Sequence, residues 1–222
     1  MLKMMRQHAK YFYVLFFIVI LSFIFWGVGT VDQSNKVDLV AVVGKYKITG
    51  EDYRRAYDNA TRIYSEIYKE KFDEDMRKKL KFNEMVLNSL VDNRVLLIAA
   101  ENNGLKISDN ELSEAIVNEP AFFKDGAFSN EVYVNRLRLM HLTTDAYEAV
   151  KRKELMIQKI SRLIELSAVI PENELSSMSG NEETLKAIRD AMVNDAKEKT
   201  LKSYIEGLKK GLKITINTDL IS

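Results

Sequence analysis

The sequence contains no cysteine, two prolines and two histidines, and its 33 basic and 32 acidic residues nearly cancel. Without cysteine, the chain can form no disulfide, thiolate metal site or thiol nucleophile. The charge balance provides no overall positive field for nucleic acid, so we expect no nucleic-acid binding. Apolar residues make up 46% of the 222 residues, which is enough for a folded core. Composition therefore indicates a folded protein with few of the side chains that catalysis uses.

The remaining polar residues do not form a recognisable catalytic pattern. His8 and His141 each lack a second histidine nearby, and acidic runs such as Glu51-Asp52 stand at predicted helix starts. Negative charge at a helix start interacts favourably with the helix dipole, so these acids are interpreted as helix-capping residues. The sequence has no Walker loop, no Rossmann glycine pattern and no G-x-S-x-G motif. We predict that the protein is not an enzyme and that it uses no metal and no cofactor.

A long apolar run, YFYVLFFIVILSFIFWGV, occupies residues 11–28. As a helix these 18 residues would extend roughly 27 Å, which is close to the hydrocarbon thickness of a bilayer. Aromatic residues stand at both ends of the run, where membrane interfaces favour them. The run predicts a transmembrane anchor. Its anchoring residues are expected to include Tyr11, Phe16, Ile20, Phe25 and Trp26.

The charges around this run predict its orientation. Lys3, Arg6 and Lys10 precede it, and residues 1–31 contain no acid. By the positive-inside rule, residues 1–10 form a cytoplasmic tail and the bulk of the chain lies across the membrane. In a Gram-negative bacterium this is a single-pass inner-membrane protein with a periplasmic domain. A cleaved signal peptide is the alternative, although the run is long for one and residues 27–29 fit a cleavage site weakly.

After a linker at residues 29–37, the sequence predicts a mainly helical chain with a few short strands. Residues 39–43 are apolar and mostly β-branched, and residues 46–48 alternate after a Gly-Lys turn, which predicts a short hairpin. A final alternating strand at about 212–217 is expected to pair with that hairpin. Capping signals and helical periodicity predict helices at about 50–71, 75–103, 109–119, 130–141, 144–168 and 182–210, with a short one from Pro171. The predicted fold is one mainly α domain, residues 38–222, closed by a small β-sheet.

Four tyrosines lie on one side of the first predicted helix. They are Tyr53, Tyr57, Tyr64 and Tyr68, spaced by four, seven and four residues. One interpretation is that they face the core with their hydroxyls at its edge. The other is that part of this tyrosine stripe lines a groove for extended apolar segments, because tyrosine offers a large contact area at little entropic cost. Spacing alone does not separate the two.

Residues 120–133, PAFFKDGAFSNEVY, resemble a signature of SurA-type N-terminal domains, and in particular of the PpiD class of membrane-anchored periplasmic folding factors. Residues 40–49 are similar to the opening strand and turn of that family. Residues 87–97 and 104–112 are similar to a helix and a turn that follow it. These four motifs occur in the family's order behind an apolar N-terminus. The resemblance covers about residues 1–175 well. The resemblance implies a SurA-N-like helical fold and a periplasmic chaperone.

One departure from that family matters for function. A parvulin-type prolyl isomerase domain normally sits between the segment around Pro171 and the last long helix. Here Pro171 to Glu182 spans 12 residues (182 − 171 + 1), which is too short for a folded domain. The resemblance therefore implies the chaperone portion without prolyl isomerase activity.

We thus expect a membrane-anchored chaperone that holds unfolded or newly translocated polypeptides. The candidate client-binding residues are Tyr53, Tyr57, Tyr64 and Phe123. The resemblance adds the exit of the Sec translocon as an expected location. A tethered adaptor for one dedicated inner-membrane complex is the alternative from another class, and a residual isomerase is the enzymatic one.

Overall fold

The computed structural model describes residues 38–169 and 181–220, and in these residues the chain is mainly helical with two small antiparallel sheets. The helices are α1 (Gly50–Tyr68), α2 (Glu74–Lys79), α3 (Phe82–Asn102), α4 (Asp109–Val117), α5 (Asn130–Leu139), α6 (Thr144–Glu165) and α7 (Glu182–Lys210). The strands are β1 (Leu39–Val43), β2 (Tyr46–Thr49), β3 (Phe123–Lys124), β4 (Ala127–Phe128) and β5 (Ile214–Ile216). This confirms the predicted mainly α class.

The larger sheet has the order β2-β1-β5. β5 runs antiparallel to β1 with Val42 opposite Thr215, so the C-terminal strand pairs with the N-terminal hairpin as predicted. The hairpin turn requires glycine at position 44. Gly44 has a φ of +54°, and a Cβ there would lie 3.2 Å from the Cδ1 atom of Ile98. The turn therefore packs directly against α3.

Two predicted capping boxes are confirmed. At the start of α1, the Asp52 N–H donates to the Thr49 hydroxyl at 3.0 Å, and the Thr49 N–H donates to the Asp52 carboxylate at 3.1 Å. Ser108 and Glu111 make the equivalent pair of bonds at the start of α4. Because each box satisfies free backbone donors within four residues, local sequence suffices to place these helix starts.

The prediction of one helix over about 75–103 is wrong. α2 ends at Lys79, the chain turns at Lys81 in the left-handed conformation (φ 49°, ψ 49°), and α3 begins at Phe82. α2 buries none of its residues, whereas Phe82 is 1% exposed. The break therefore accompanies the burial of an aromatic ring that continuous helical geometry would direct elsewhere.

A second hairpin, between β3 and β4, was not predicted. Its two-residue turn is Asp125-Gly126, and both residues have positive φ values, 54° and 83°. Asp-Gly is a typical sequence for a tight turn of this kind. Phe123 pairs with Phe128 across the strands. Strands of two residues carry too little alternation for a pattern to detect.

The buried side chains form two clusters that share helix α6. The first cluster joins the larger sheet, α1, α3 and Ile205 of α7, and includes Ile160 and Ile164 of α6. The second joins α4, residues 120–122 and α5, with Tyr147 and Leu155 of α6 packed against it. α6 thus packs against both clusters, with its first half against the second cluster and its second half against the first.

Polar contacts also connect α6 to the segment around α4. Arg152 donates to the carbonyl oxygen of Ile107 at 2.9 Å and to the Asp109 carboxylate. Lys159 donates to Glu111 at 2.5 Å. Basic residues of α6 therefore hold both the start of α4 and the turn before it.

The predicted anchor, including Tyr11, Phe16, Ile20, Phe25 and Trp26, lies outside the described residues, as do the linker 29–37 and the short helix predicted from Pro171. Across residues 38–169 and 181–220, no helix combines the length and the apolar character needed to cross a membrane.

Candidate functional site

The acidic side chains at helix starts act as caps. The Asp73 carboxylate accepts from the Met76 N–H at 2.8 Å. Burial alone would raise the pKa of Asp52, but hydrogen bonds from Thr49 and Arg55 outweigh it and the pKa is lowered. Among the described residues, no group of three or more histidines or acids is arranged to hold a metal ion. These carboxylates thus stabilise helix termini.

The tyrosine stripe of α1 packs on two phenylalanines beneath it. The ring of Tyr57 meets Phe82 edge-on with centroids 5.2 Å apart, and the ring of Tyr64 meets it at 5.3 Å. Tyr64 also lies 5.4 Å from Phe72. The inner edges of these tyrosines therefore belong to the first cluster.

Exposure varies along the stripe. Tyr53 is 8% exposed, so little of its ring is accessible to a ligand, while Tyr57 and Tyr64 are half-buried and Tyr68 is 41% exposed. The exposed end continues in Ile63 and Ile67, one turn apart on α1 and both open to solvent. The stripe thus runs from the core at its start to an apolar surface at its end.

Tyr57 also borders a surface depression of about 650 Å³. Charged side chains of α2 and the following turn form much of its wall, among them Arg77, Lys78 and Lys81. Glu74 pairs with Lys78 at 2.9 Å. The rim of this depression is therefore more polar than the groove that the tyrosine spacing suggested.

Phe123, the fourth sequence candidate, lies in a different part of the domain. It is 38% exposed on β3, and its partner Phe128 packs against the second cluster. The tyrosines of α1 pack against the first cluster. The fold therefore does not gather the four candidates into one site.

A groove between α6 and α7 is the more apolar candidate surface. It has a volume of about 710 Å³. Its lining residues are Asn103, Leu105, Ile160, Leu163, Ile164, Ser167, Thr200, Ser203 and Tyr204. Leu163 and Tyr204 are exposed within this α6–α7 groove, and Leu166, the residue that follows the end of α6, is 69% exposed. Apolar side chains line the groove and hydroxyls border it, an arrangement typical of ligand-binding clefts.

The sequence contained a partial signal for this groove. Ile160, Leu163 and Ile164 are spaced as one face of a helix, and that spacing normally indicates a core-facing stripe. Only Ile160 and Ile164 are buried, because α7 covers one edge of the stripe and leaves Leu163 open. Which part of an apolar stripe remains open depends on the crossing of two helices that are distant along the chain.

A helical domain closed by a small antiparallel sheet, with an open apolar groove, is typical of a binding domain. The family model described as a SurA-like N-terminal domain matches residues 1–161. The chain belongs to this family of SurA-like N-terminal domains, which confirms the resemblance in the sequence motifs.

Two curated relatives that match this chain carry the same name. The protein named "Periplasmic chaperone PpiD" from Haemophilus ducreyi is 30% identical over 173 residues, covering 76% of this chain and 28% of the relative. The protein of the same name from Escherichia coli K12 is 25% identical over 186 residues, covering 82% of this chain and 30% of the relative. The chain therefore spans less than a third of the length of the curated relatives it matches. Both relatives are named periplasmic chaperones.

Proposed function

We propose that the protein is a membrane-anchored periplasmic chaperone that holds unfolded or newly translocated polypeptides without chemical turnover. The observation that carries the proposal is the solvent-open α6–α7 groove, in which Leu163 and Tyr204 present apolar surface beside the hydroxyls of Ser203 and Thr200. Apolar walls suit the side chains of an unfolded segment. The Ser203 hydroxyl suits its main chain, whereas the Thr200 hydroxyl donates to the Ala196 carbonyl oxygen at 2.7 Å. Membership of a family whose relatives are named periplasmic chaperones adds support.

Binding by such a groove is expected to be weak and readily reversible. A client segment loses conformational entropy when it is held, and this offsets part of the gain from apolar contact. Fast exchange suits a protein that must release its client without consuming energy. Tyr57, Tyr64 and Phe123 remain proposed as further client contacts, because each combines an aromatic ring with partial exposure. Tyr53 is the least accessible of the original four candidates.

The aggregation of a denatured outer-membrane barrel protein tests this function. The full chain in lipid nanodiscs should suppress its light scattering at near-stoichiometric amounts, and should do so for several unrelated clients. The Leu163→Ser variant should weaken suppression several-fold. Val150→Ser is the matched control, because Val150 lies on the same helix, is 52% exposed against 53% for Leu163, and is not part of the groove. Equal behaviour of the two variants would contradict a role for the groove.

Anchoring is proposed from residues 11–28, with the N-terminus in the cytoplasm. A tether confines the domain to the membrane surface and raises its effective concentration near chains that emerge there. The family resemblance makes the Sec translocon exit the proposed place of action. The absence of native cysteine allows a clean test with single-cysteine variants Leu2→Cys and Ser34→Cys.

A membrane-impermeant maleimide should label only the Ser34→Cys variant while the inner membrane is intact, and both variants after lysis. Labelling of the Leu2→Cys variant before lysis would contradict the orientation. A shortened mature chain without residue 2 would instead indicate a cleaved signal peptide.

We also propose that this chain lacks prolyl isomerase activity. The segment from Pro171 to Glu182, the first residue of α7, contains 12 residues. A segment of this length leaves no room for a parvulin domain at that place. Cis-to-trans conversion of a proline-containing peptide should proceed at the uncatalysed rate in the presence of the full chain. Acceleration that increases with protein concentration would overturn this part of the proposal.

The adaptor alternative predicts a different set of results. An adaptor for one dedicated membrane complex would leave the aggregation of unrelated clients unchanged, and would co-purify with a single partner in constant proportion.

A further inference from the structure

The outer strand of the larger sheet carries an open backbone edge. In the order β2-β1-β5, β5 pairs with β1 on one side, and within the described residues no strand pairs with its other side. Unpaired N–H and C=O groups along a strand edge are a template for another extended chain. β5 therefore offers an edge to which a further strand can be added.

The hydrogen bonds between β5 and β1 identify which groups face outward. The Asn217 N–H donates to the Val40 carbonyl at 2.8 Å, and the Gly44 N–H donates to the Lys213 carbonyl at 3.0 Å. In an antiparallel ladder, alternate residues direct both backbone groups toward the same neighbour. Since 213 and 217 face β1, so does Thr215.

It follows that Ile214 and Ile216 direct their N–H and C=O groups away from the sheet. Each residue of a strand rises about 3.3 Å, so the outward-facing backbone groups of Ile214 and Ile216 are about 6.6 Å apart. This is the spacing of alternate residues in an extended chain. The edge thus offers two donors and two acceptors in the arrangement that an antiparallel partner strand needs.

The side chains of this edge are also apolar. Ile214 lies opposite Val43 and Ile216 lies opposite Ala41. Val43 and Ala41 are buried, so the two isoleucine side chains are on the core-facing side of the sheet. Ile214 packs against the first cluster, whereas Ile216 is 41% exposed. The strand sequence Ile-Thr-Ile contains neither a charge nor a proline, the features that natural edges commonly use to prevent pairing.

We propose that the outer edge of β5 binds an extended segment of a client polypeptide by strand addition, through the main-chain groups of Ile214 and Ile216. This inference rests on the proposed function and specifies how a client is held. Recognition through the main chain tolerates many sequences, and the exposed face of Ile216 favours apolar side chains at alternate client positions. The proposed occupant is therefore an extended chain of alternating apolar residues.

Residue-resolved hydrogen exchange of the full chain in lipid nanodiscs tests the proposal. The probe is an end-capped eight-residue peptide that alternates valine with threonine. In the free protein, the amides of Ile214 and Ile216 should exchange rapidly, and those of Thr215 and Asn217 slowly because they bond to β1. With peptide, exchange at Ile214 and Ile216 should slow by about tenfold or more, while Thr215 provides the internal reference.

Two N-methylated peptides provide the matched control, because they change no residue of the protein. N-methylation at one set of alternate residues removes the donors that face β5, and N-methylation at the other set removes donors that face away. One peptide should lose the protection and the other should retain it. Equal effects of the two peptides would overturn strand addition.

The remaining outcomes separate this inference from the function on which it rests. If Ile214 and Ile216 stay unprotected while the chain still suppresses client aggregation, strand addition is overturned and the chaperone proposal stands. If aggregation is not suppressed either, the proposed function fails first. Protection that is present without peptide and increases with protein concentration would indicate pairing between two copies of β5, and would also overturn the proposal.

Discussion

The ring of Phe82 meets the ring of Tyr64 edge-on, with centroids 5.3 Å apart and an angle of 76° between the planes. Phe82 is the first residue of α3 and is 1% exposed. Its ring also contacts Tyr57 at 5.2 Å and Phe72 at 5.1 Å. One residue at a helix start therefore joins α1, α3 and the segment between α1 and α2.

Replacing Phe82 should strongly destabilise the domain. The Phe82→Ala variant removes a buried ring and leaves a cavity among three aromatic neighbours, so we expect the free energy of unfolding to fall by about 3–5 kcal/mol. Urea denaturation followed by circular dichroism measures this. Phe123→Ala is the control, because Phe123 is 38% exposed and its removal should cost about 1 kcal/mol or less. Similar losses for both variants would contradict the burial described here.

The hydroxyl of Tyr133 is buried without a hydrogen-bond partner among the described residues. Removing an unpaired buried polar group relieves a desolvation penalty, so Tyr133→Phe should leave the free energy of unfolding unchanged or raise it by about 1 kcal/mol. Tyr46→Phe is the contrast, since the Tyr46 hydroxyl donates to the Glu101 carboxylate. The free energy of unfolding of the Tyr46→Phe variant should fall by about 1 kcal/mol. The same denaturation assay compares them, and a loss in Tyr133→Phe alone would contradict the assignment.

The carboxylate of Glu111 makes the domain sensitive to acid. Hydrogen bonds from Lys159 and from the Ser108 N–H and hydroxyl lower the pKa of Glu111 from 4.5 to about 2. Because the pKa is lower in the folded state, its contribution to stability is fully present above about pH 4.5 and is lost as the pH falls toward 2. Glu111→Gln should therefore melt at a lower temperature than the parent at neutral pH, with the difference shrinking across that range.

Thermal melting as a function of pH measures this effect. Glu114→Gln is its control on the same helix, because Glu114 is exposed and forms no ion pair with the described residues. A constant difference between the Glu111→Gln variant and the parent down to pH 2 would show that the carboxylate is not held as described.

Lys69 has a strained backbone. It ends α1 with φ 53° and ψ −128°, a combination that side chains with a Cβ rarely adopt and glycine adopts readily. Lys69→Gly should raise the free energy of unfolding by about 0.5–1 kcal/mol, since relief of strain exceeds the added chain entropy of glycine. Lys71→Gly, two residues later and without a positive φ, should not stabilise. Denaturation midpoints distinguish the two, and equal effects would rule out strain at Lys69.

Local hydrogen bonding made much of the helical layout predictable. The capping pairs Thr49/Asp52 and Ser108/Glu111 were predicted from spacing and are confirmed. The last long helix was predicted at about 182–210 and runs over Glu182–Lys210. In each case the deciding contacts lie within a few residues of the chain. The family motifs around residues 120–133 were equally local.

Burial was less predictable, because it depends on neighbours that are distant along the chain. Tyr53 and Tyr68 share one side of α1, yet Tyr53 is buried and Tyr68 is exposed. Tyr53 belongs to the first cluster and its hydroxyl donates to the carbonyl oxygen of Asn83 on α3 at 3.4 Å, whereas Tyr68 stacks on Tyr64 at the exposed end of α1. The start of α3 follows a turn at Lys81 that helical periodicity did not reveal.

The sequence by itself determined the helical class, most helix boundaries and the family, because these depend on backbone hydrogen bonds and residue order within short segments. Only the tertiary structure decided which apolar faces stay open. Leu163 remains in a groove because α7 crosses α6 beside it, and Ile216 lies on an unpaired edge because β5 is the outermost strand of the described sheet, with β1 on its inner side. Solvent access is a property of packed surfaces, and residue spacing along one helix or strand does not encode it.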